Sequence, residues 1–315
     1  MTKTRNNPTV SVVIPTYNRA HLIGRAIQSV LDQTYQDFEI IVVDDGSRDN
    51  TCEVINDFDD ERIRYIRHQG NRGGAVARNT GIKAARGEYT AFQDSDDEWL
   101  PEKLKKQMEI FKNVSSKVGV VYTGFWKLGN NKKIYKPQSW VTQKEGDIHK
   151  ELLNGNFVTT QSAVVKKTCF RKTGMFDERL PCLQDWELWI RISKYYHFKC
   201  IDEPLLVSYY TPDSIYADKD ARIVALELIL EKHFGDFKKN RRSLASYQYS
   251  IGNLLRENGK TSQAKGYFLR ALKSYPLNSK YLVGALVLLF GENTYNRVVR
   301  LKRKIQSKDG NYGRG

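Results

Sequence analysis

The chain is predicted to fold as an α/β domain, a mostly parallel sheet with flanking helices, followed by a small all-α C-terminal region. Two observations predict this. Between residues 10 and 92, short apolar runs alternate with segments of helical periodicity, and beyond residue 217 the apolar spacing is helical throughout. With 315 residues the chain can hold a large core and an appended region.

Val10 to Pro15 is a continuous apolar run, read as a buried strand, and Ala20 to Thr34 places Leu22, Ile23, Ala26, Ile27, Val30 and Leu31 on one helical side. The pattern repeats with a strand at Phe38–Val43, a helix at Asn50–Phe58, a strand at Ile63–Arg67, a helix at Gly73–Ala85 and a strand at Glu88–Phe92. Ligands of open sheets gather at the carboxyl ends of the strands. Here those ends are Thr16-Tyr17-Asn18, Asp44-Asp45-Gly46-Ser47 and the turn from Asp94. After Pro101 an amphipathic helix runs to about Phe111, then Val118–Leu128 reads as a strand with Lys132–Lys136 as hairpin partner or loop. Further on, Ile148–Leu153 reads as a short helix, Thr160–Val165 as a strand, Leu183–Tyr195 as a helix and Phe198–Tyr210 as strands broken at Pro204. Asp218 to about Phe237 is helical, and Lys238, Lys239, Arg241 and Arg242 mark a linker. Ile251, Gly252, Gly259, Ala264, Phe268, Ala271 and Pro276 fall at the spacing of one tetratricopeptide-like helix pair, a surface for a protein partner.

Lysine and arginine exceed aspartate and glutamate, 51 against 36, giving a net charge of +15 and an affinity for polyanions. The basic residues are dispersed and no recognition module is visible, so nucleic acid is not expected as a partner. Cys52, Cys169, Cys182 and Cys200 show no C-x-x-C spacing, which predicts reduced thiols and a cytoplasmic location. No run is long enough for a signal peptide or membrane span. Residues 281–305 join an apolar run to Arg297, Arg300, Lys302, Arg303 and Lys304, the pattern of a peripheral anchor on an anionic membrane surface or of a capping helix with a solvated tail.

The acidic stretch Asp94-Ser-Asp-Asp-Glu-Trp99 is the centre of the chemistry. Clustered carboxylates repel one another unless a cation holds them, and an oxygen-only set suits Mg²⁺ or Mn²⁺. An acidic turn with Asp97 capping a helix from Leu100 is the plain alternative. Together with Val12-Val-Ile-Pro-Thr-Tyr-Asn-Arg19, Ile41-Val-Val-Asp-Asp-Gly-Ser47 and Gly74-Ala-Val-Ala-Arg-Asn-Thr-Gly81, it resembles the family 2 glycosyltransferases of the GT-A fold.

That resemblance covers about the first 215 residues and implies a GT-A domain over 1–217. Its nucleotide-binding half is 1–101 and its acceptor half 102–217, followed by a helical linker at 218–242 and the tetratricopeptide-like region with its basic tail at 243–315. It implies an inverting, metal-dependent transfer of a single sugar from a nucleotide-sugar, a UDP-sugar by preference, to a hydroxyl of a glycan or lipid-linked acceptor. Thr16 and Tyr17 then receive the nucleotide base, with Asn18 a further donor-binding residue, Asp44 and Asp45 meet the uracil imide and ribose, and Arg78 and Asn79 lie by the pyrophosphate. Asp94, Ser95 and Asp96 form the D-x-D element, and Asp94, Asp96 and Asp97 are all candidates for the metal. Asp185 is the implied base, with Glu187 in reserve, although Gln184 stands where relatives carry an acid. Trp186 and Trp189 are either sugar-facing or core. Tyr209 and Thr211 stand where many relatives carry Arg and His, so Tyr209 or Tyr210 is left to bond the phosphates. The Gln-x-x-Arg-Trp signature of processive members is absent. A degenerate scaffold acting through the helical repeat is the alternative, and intact Asp94, Asp96, Asp97 and Asp185 argue against it.

Overall fold

The computed structural model describes residues 7–129, 132–139, 141–210 and 218–276, together with Asn278 and Tyr281. The basic segment 282–305 and Thr211 lie outside the described residues. The chain forms two compact units, residues 1–217 and 218–315.

In the first unit the strands are β1 (Val10–Thr16), β2 (Phe38–Asp44), β3 (Ile63–Arg67), β4 (Tyr89–Phe92), β5 (Glu98–Trp99), β6 (Val118–Gly129), β7 (Lys132–Lys136), β8 (Ala163–Lys166) and β9 (His197–Tyr209). They join in one sheet of order β3-β2-β1-β4-β8-β6-β9-β5, with β7 pairing β6. The run β3-β2-β1-β4 is parallel, as its strand–helix alternation requires, and β8 enters antiparallel between β4 and β6. Helices α1 (Ala20–Leu31), α2 (Thr51–Asn56), α3 (Gly74–Ala84) and α4 (Lys103–Asn113) make the crossovers and their continuation. The α1 face Ile23, Ala26, Ile27, Val30 is buried at helical spacing, which is why this segment is a helix and how it covers the sheet. Val12, Ile14, Ile40, Val42, Ala91, Leu104, Val121 and Leu206 carry one core cluster across the sheet. Gly81 of α3 lies against Val13, so closely that a Cβ there would come within 2.3 Å of the valine side chain.

The structure departs from the sequence reading in four places, one at the acidic turn and three in the acceptor half. Asp97 does not cap a helix: the chain pairs as β5 with β9, and α4 starts only at Lys103 after Glu102. The segment from Thr160 is a 3-10 turn before the strand begins at Ala163, and α6 (Lys167–Thr173) was not legible in the sequence. Pro204 does not break the last strand. β9 runs through it with shifts in register against β6 at Thr123/Gly124 and Gly124/Trp126, which absorb the missing N–H. Helix α5 (His149–Leu152) and helix α7 (Gln184–Ile192) complete the unit.

The second unit contains α8 (Lys219–Lys232), α9 (Phe234–Lys239), α10 (Arg241–Glu257) and α11 (Thr261–Ser274). Lys238 and Lys239 end α9 and Arg241 and Arg242 open α10, with Asn240 between them accepting from the Ser243 N–H as an N-cap. α10 and α11 form a helical hairpin turning at Gly259 (φ 74°), with Gly252 facing the Phe268 ring and Ile251, Ala264, Phe268 and Ala271 fully buried. Among the described residues no helix is long and apolar enough to cross a membrane.

Candidate active site

The ends of β1 and β2 form the first wall of the crevice. The chain leaves β1 through Asn18 in the left-handed region (φ 51°), which asparagine tolerates. Its N–H donates to Ser47 Oγ (2.9 Å) and its Oδ1 accepts from the Arg48 N–H (2.8 Å), so the two strand-end turns are stitched together. Asp44 is fully buried and accepts from the Ser47 N–H (2.7 Å) and the Tyr65 hydroxyl (2.6 Å). Asp45 accepts from the N–H groups of Arg72 (2.9 Å) and Gly73 (2.6 Å), while its other oxygen faces His68 Nδ1 at 2.7 Å. Both aspartates therefore shape the wall first, Asp44 its own turn and Asp45 the approach to α3. Beside them the Thr16 hydroxyl is buried without a protein partner, and the Tyr17 ring is 37% exposed. Tyr17 is thus open to a ligand, whereas the Thr16 hydroxyl lies beneath the surface.

The second wall is α3 and the acidic turn. Arg78 donates through Nη2 to Asp94 Oδ1 (2.7 Å) and through Nη1 to Gln184 Oε1 (3.3 Å), and its Nε is buried without a partner. Asn79 is buried, and its amide exchanges bonds with the Phe176 backbone and Glu178, tying α3 to that loop. Ser95 is buried, whereas Asp94 and Asp96 keep part of their surface open. Asp97 is 2% exposed and accepts from the Tyr209 N–H (3.1 Å) and the Ser208 hydroxyl. Burial, then the charges of Asp94 and Asp96, pushes its carboxyl well above the usual range. Tyr209 donates its hydroxyl to Glu98 (2.9 Å) and lies under the Arg25 guanidinium at 4.1 Å. Arg25 also donates to the Asp96 carbonyl (2.7 Å).

The third wall is the start of α7. Leu183 precedes it at φ 59°, a backbone conformation that costs a leucine about 1–3 kcal/mol and that tends to persist at functional positions. Asp185 accepts from the Trp186 N–H (2.7 Å) and from Asn156 Nδ2 (3.1 Å), surrounded by protein on most sides yet with an accessible edge. Burial raises its carboxyl above the ordinary aspartate value, partly offset by those two bonds and by the charge of Arg78. A raised carboxylate at an open edge suits a proton acceptor. Glu187 is fully buried in a salt bridge to Arg191 (2.8 Å), and the indoles of Trp186 and Trp189 donate to Leu152 O and Val158 O in the core. These three build the helix's seat.

Four residues of the site escaped the sequence reading: Arg25, His68, Asn156 and Gln184 as a bonding partner. Arg25 lies within the α1 helical run on its polar side, and Asn156 in a Leu-Asn-Gly-Asn turn, so neither carries a local signal. Among the described residues no three His, Cys, Asp or Glu side chains converge as an all-protein metal cage. A cleft of about 510 Å³ lies in the helical unit, lined by Glu227 and Glu231 with Arg270 and Lys273, and is not the acidic crevice.

Residues 11–174 match the family model described as glycosyl transferase family 2. The chain belongs to that family. Among the relatives of this family 2 member, the Escherichia coli protein named UDP-Glc:alpha-D-GlcNAc-diphosphoundecaprenol beta-1,3-glucosyltransferase WfgD is 31% identical over 73% of this chain and 87% of its own length. An uncharacterized glycosyltransferase of Rickettsia felis is 35% identical over 64% of this chain but 34% of its own, so the match spans about a third of that protein. In fold, the family 2 chain resembles S. aureus TarS 1-349 solved in complex with UDP-GlcNAc, with TM-score 0.61, 18% identity and coverage of 97% of this chain and 93% of that one. It also resembles the mannosyltransferase PcManGT from Pyrobaculum calidifontis solved with GDP-Man and Mn²⁺, with TM-score 0.58, 19% identity and coverage of 91% and 85%. The sheet is thus that of GT-A glycosyltransferases.

Proposed function

We propose that the chain transfers one hexosyl group, with inversion, from a UDP-sugar to a hydroxyl of a diphosphate-lipid-linked sugar. The observation that carries this reading is Arg78. One guanidinium spans Asp94 of the acidic turn and Gln184 of the helix that presents Asp185, so the D-x-D element and the candidate base share one crevice. The named activity of the E. coli relative supports the donor and acceptor class.

In this reading Tyr17 offers its open face to the base, while the buried Asp44 and Asp45 hold the wall against which base and ribose lie, with Thr16 beneath them. Arg78 lies by the diphosphate through the guanidinium that also bonds Asp94 of the acidic turn. Asp185 accepts the acceptor hydroxyl's proton as that oxygen attacks the anomeric carbon from the side opposite the departing diphosphate. The donor set fits Mn²⁺ or Mg²⁺. Asp94 and Asp96 are part-open carboxylates, Asp97 is held behind them by β9, and such ions are bound by one or two carboxylates together with substrate phosphates rather than by a full protein cage. When bound, the ion neutralises charge on the leaving diphosphate.

Calorimetric titration of UDP with and without Mn²⁺ tests the donor site, and a radiolabelled UDP-glucose transfer assay with undecaprenyl-diphosphate-linked GlcNAc tests the reaction. Metal-dependent UDP binding and a labelled lipid product are expected. No UDP binding under either condition would overturn the reading.

A further inference from the structure

The β6–β7 hairpin presents a surface that sugar transfer does not use. Register partners point to the same side of a sheet and alternate residues share it. The pairs Phe125↔Lys136, Lys127↔Ile134 and Gly129↔Lys132 therefore place Lys127, Lys132 and Lys136 on one face around Ile134. Ile134 is 45% exposed. Lys127 and Lys132 are exposed and Lys136 partly so, and the positive charge of Lys127 adds to burial in lowering the Lys136 amine. From Lys112 to Lys144 the sequence holds no aspartate or glutamate, and among the described residues Lys127, Lys132 and Lys136 make no ion pair.

The same face runs on toward the crevice. Lys127 pairs with Ser208 of β9, whose hydroxyl bonds Asp97. With strands about 4.8 Å apart, Ile134 stands roughly 10 Å from Ser208 along the sheet. Tyr210, 53% exposed, packs over Gly129, where a Cβ would come within 2.6 Å of the tyrosine Cβ. Phe125 on this face is buried, so the face passes from core at Phe125 to exposed apolar and cationic groups at the strand ends.

We propose that this face, Lys127, Lys132, Ile134, Lys136 and Tyr210, docks on an anionic bilayer surface. The charge complementarity selects an anionic partner, and the apolar Ile134 inside the lysine ring selects a membrane interface, where a side chain can enter the acyl boundary while the ammonium groups stay among headgroups. An edge strand also carries lysines to block pairing with other chains, but that role does not require an exposed isoleucine among them. The docked face lies beside the acidic turn, so a membrane-borne acceptor would arrive on the side of the sheet that carries Asp97.

The test is sedimentation of the full chain with phosphatidylglycerol-containing or pure phosphatidylcholine vesicles. The variants are a Lys127→Gln, Lys132→Gln, Lys136→Gln triple, an Ile134→Ser single, and a tail variant with Arg297, Arg300, Lys302, Arg303 and Lys304 each changed to Gln. The triple variant is expected to bind anionic vesicles about 100-fold more weakly at low salt, from roughly fivefold for each of the three lysines. Ile134→Ser is expected to cost about tenfold, and UDP titration and thermal midpoint to be unchanged in both. Unchanged partitioning in the triple, loss confined to the tail variant, or equal binding to neutral vesicles would overturn the proposal. So would displacement by millimolar inorganic pyrophosphate, which would mark a soluble-phosphate site. UDP titration is independent of all these arms, so failure of the transferase reading shows there and not here.

Discussion

Replacing Asp185 with asparagine separates catalysis from stability in this chain. The wild-type carboxylate accepts two bonds, from the Trp186 N–H and from Asn156 Nδ2. An asparagine keeps the first through Oδ1 but turns an NH₂ toward the NH₂ of Asn156. Asn156 Oδ1 is buried without a partner, so a flip of that amide presents an acceptor to the new donor and restores the bond. The net hydrogen-bond change is then within about 1 kcal/mol. The charge term has a definite sign. Burial raises the folded carboxyl above its unfolded value, so the ionised group is a penalty at neutral pH that disappears as pH falls below the unfolded value of about 3.9. Asp185→Asn is therefore expected to unfold at the same temperature as wild type or a few degrees higher at pH 7, with the gap closing toward pH 4. Loss of a general base costs about 10²–10⁴ in rate, or roughly 3–5 kcal/mol of barrier. The assay is kcat for sugar transfer beside a thermal melt and a UDP titration. A rate within tenfold of wild type refutes the base assignment. A midpoint that drops together with the rate shows that Asp185 supports the fold instead.

Arg25→Ala removes both the bond to the Asp96 carbonyl and the stack on Tyr209. It is expected to weaken Mn²⁺-dependent UDP binding about tenfold by calorimetry with the circular dichroism spectrum unchanged, and equal affinity would show that the acidic turn holds itself. Gln184→Glu places a like charge beside Asp185 and raises its carboxyl further, so the acid limb of kcat/KM against pH is expected to move to higher pH; a shift to lower pH, or none, contradicts that electrostatic account. Gly81→Ala should lower stability by about 1–3 kcal/mol in urea unfolding despite the better helix propensity of alanine, because its Cβ would meet Val13 at 2.3 Å; a gain would mean that α3 moves freely on β1.

The sequence by itself determined the alternation of strands and helices through β4, the three strand ends that meet in one crevice, and the family. These are local signals: apolar periodicity sets α1 and β2, and the acidic turn and α3 motif are contiguous residues. It also named Asp185 as a candidate without showing what surrounds it. Tertiary structure decided the rest. The plain alternative of Asp97 as a helix cap fell because β9 reaches back across 112 residues to bond its carboxylate, a contact of which the sequence carries no mark. Pro204 looked like a strand break because the bulged register that accommodates it exists only once β6 lies alongside. Arg25 and Asn156 act on groups 71 and 29 residues away, and nothing in their neighbours in sequence distinguishes them from ordinary surface residues. Local periodicity selects elements, whereas the partner of a buried polar group is chosen by whichever distant segment packing brings against it, because that group must find a bond wherever the fold puts it.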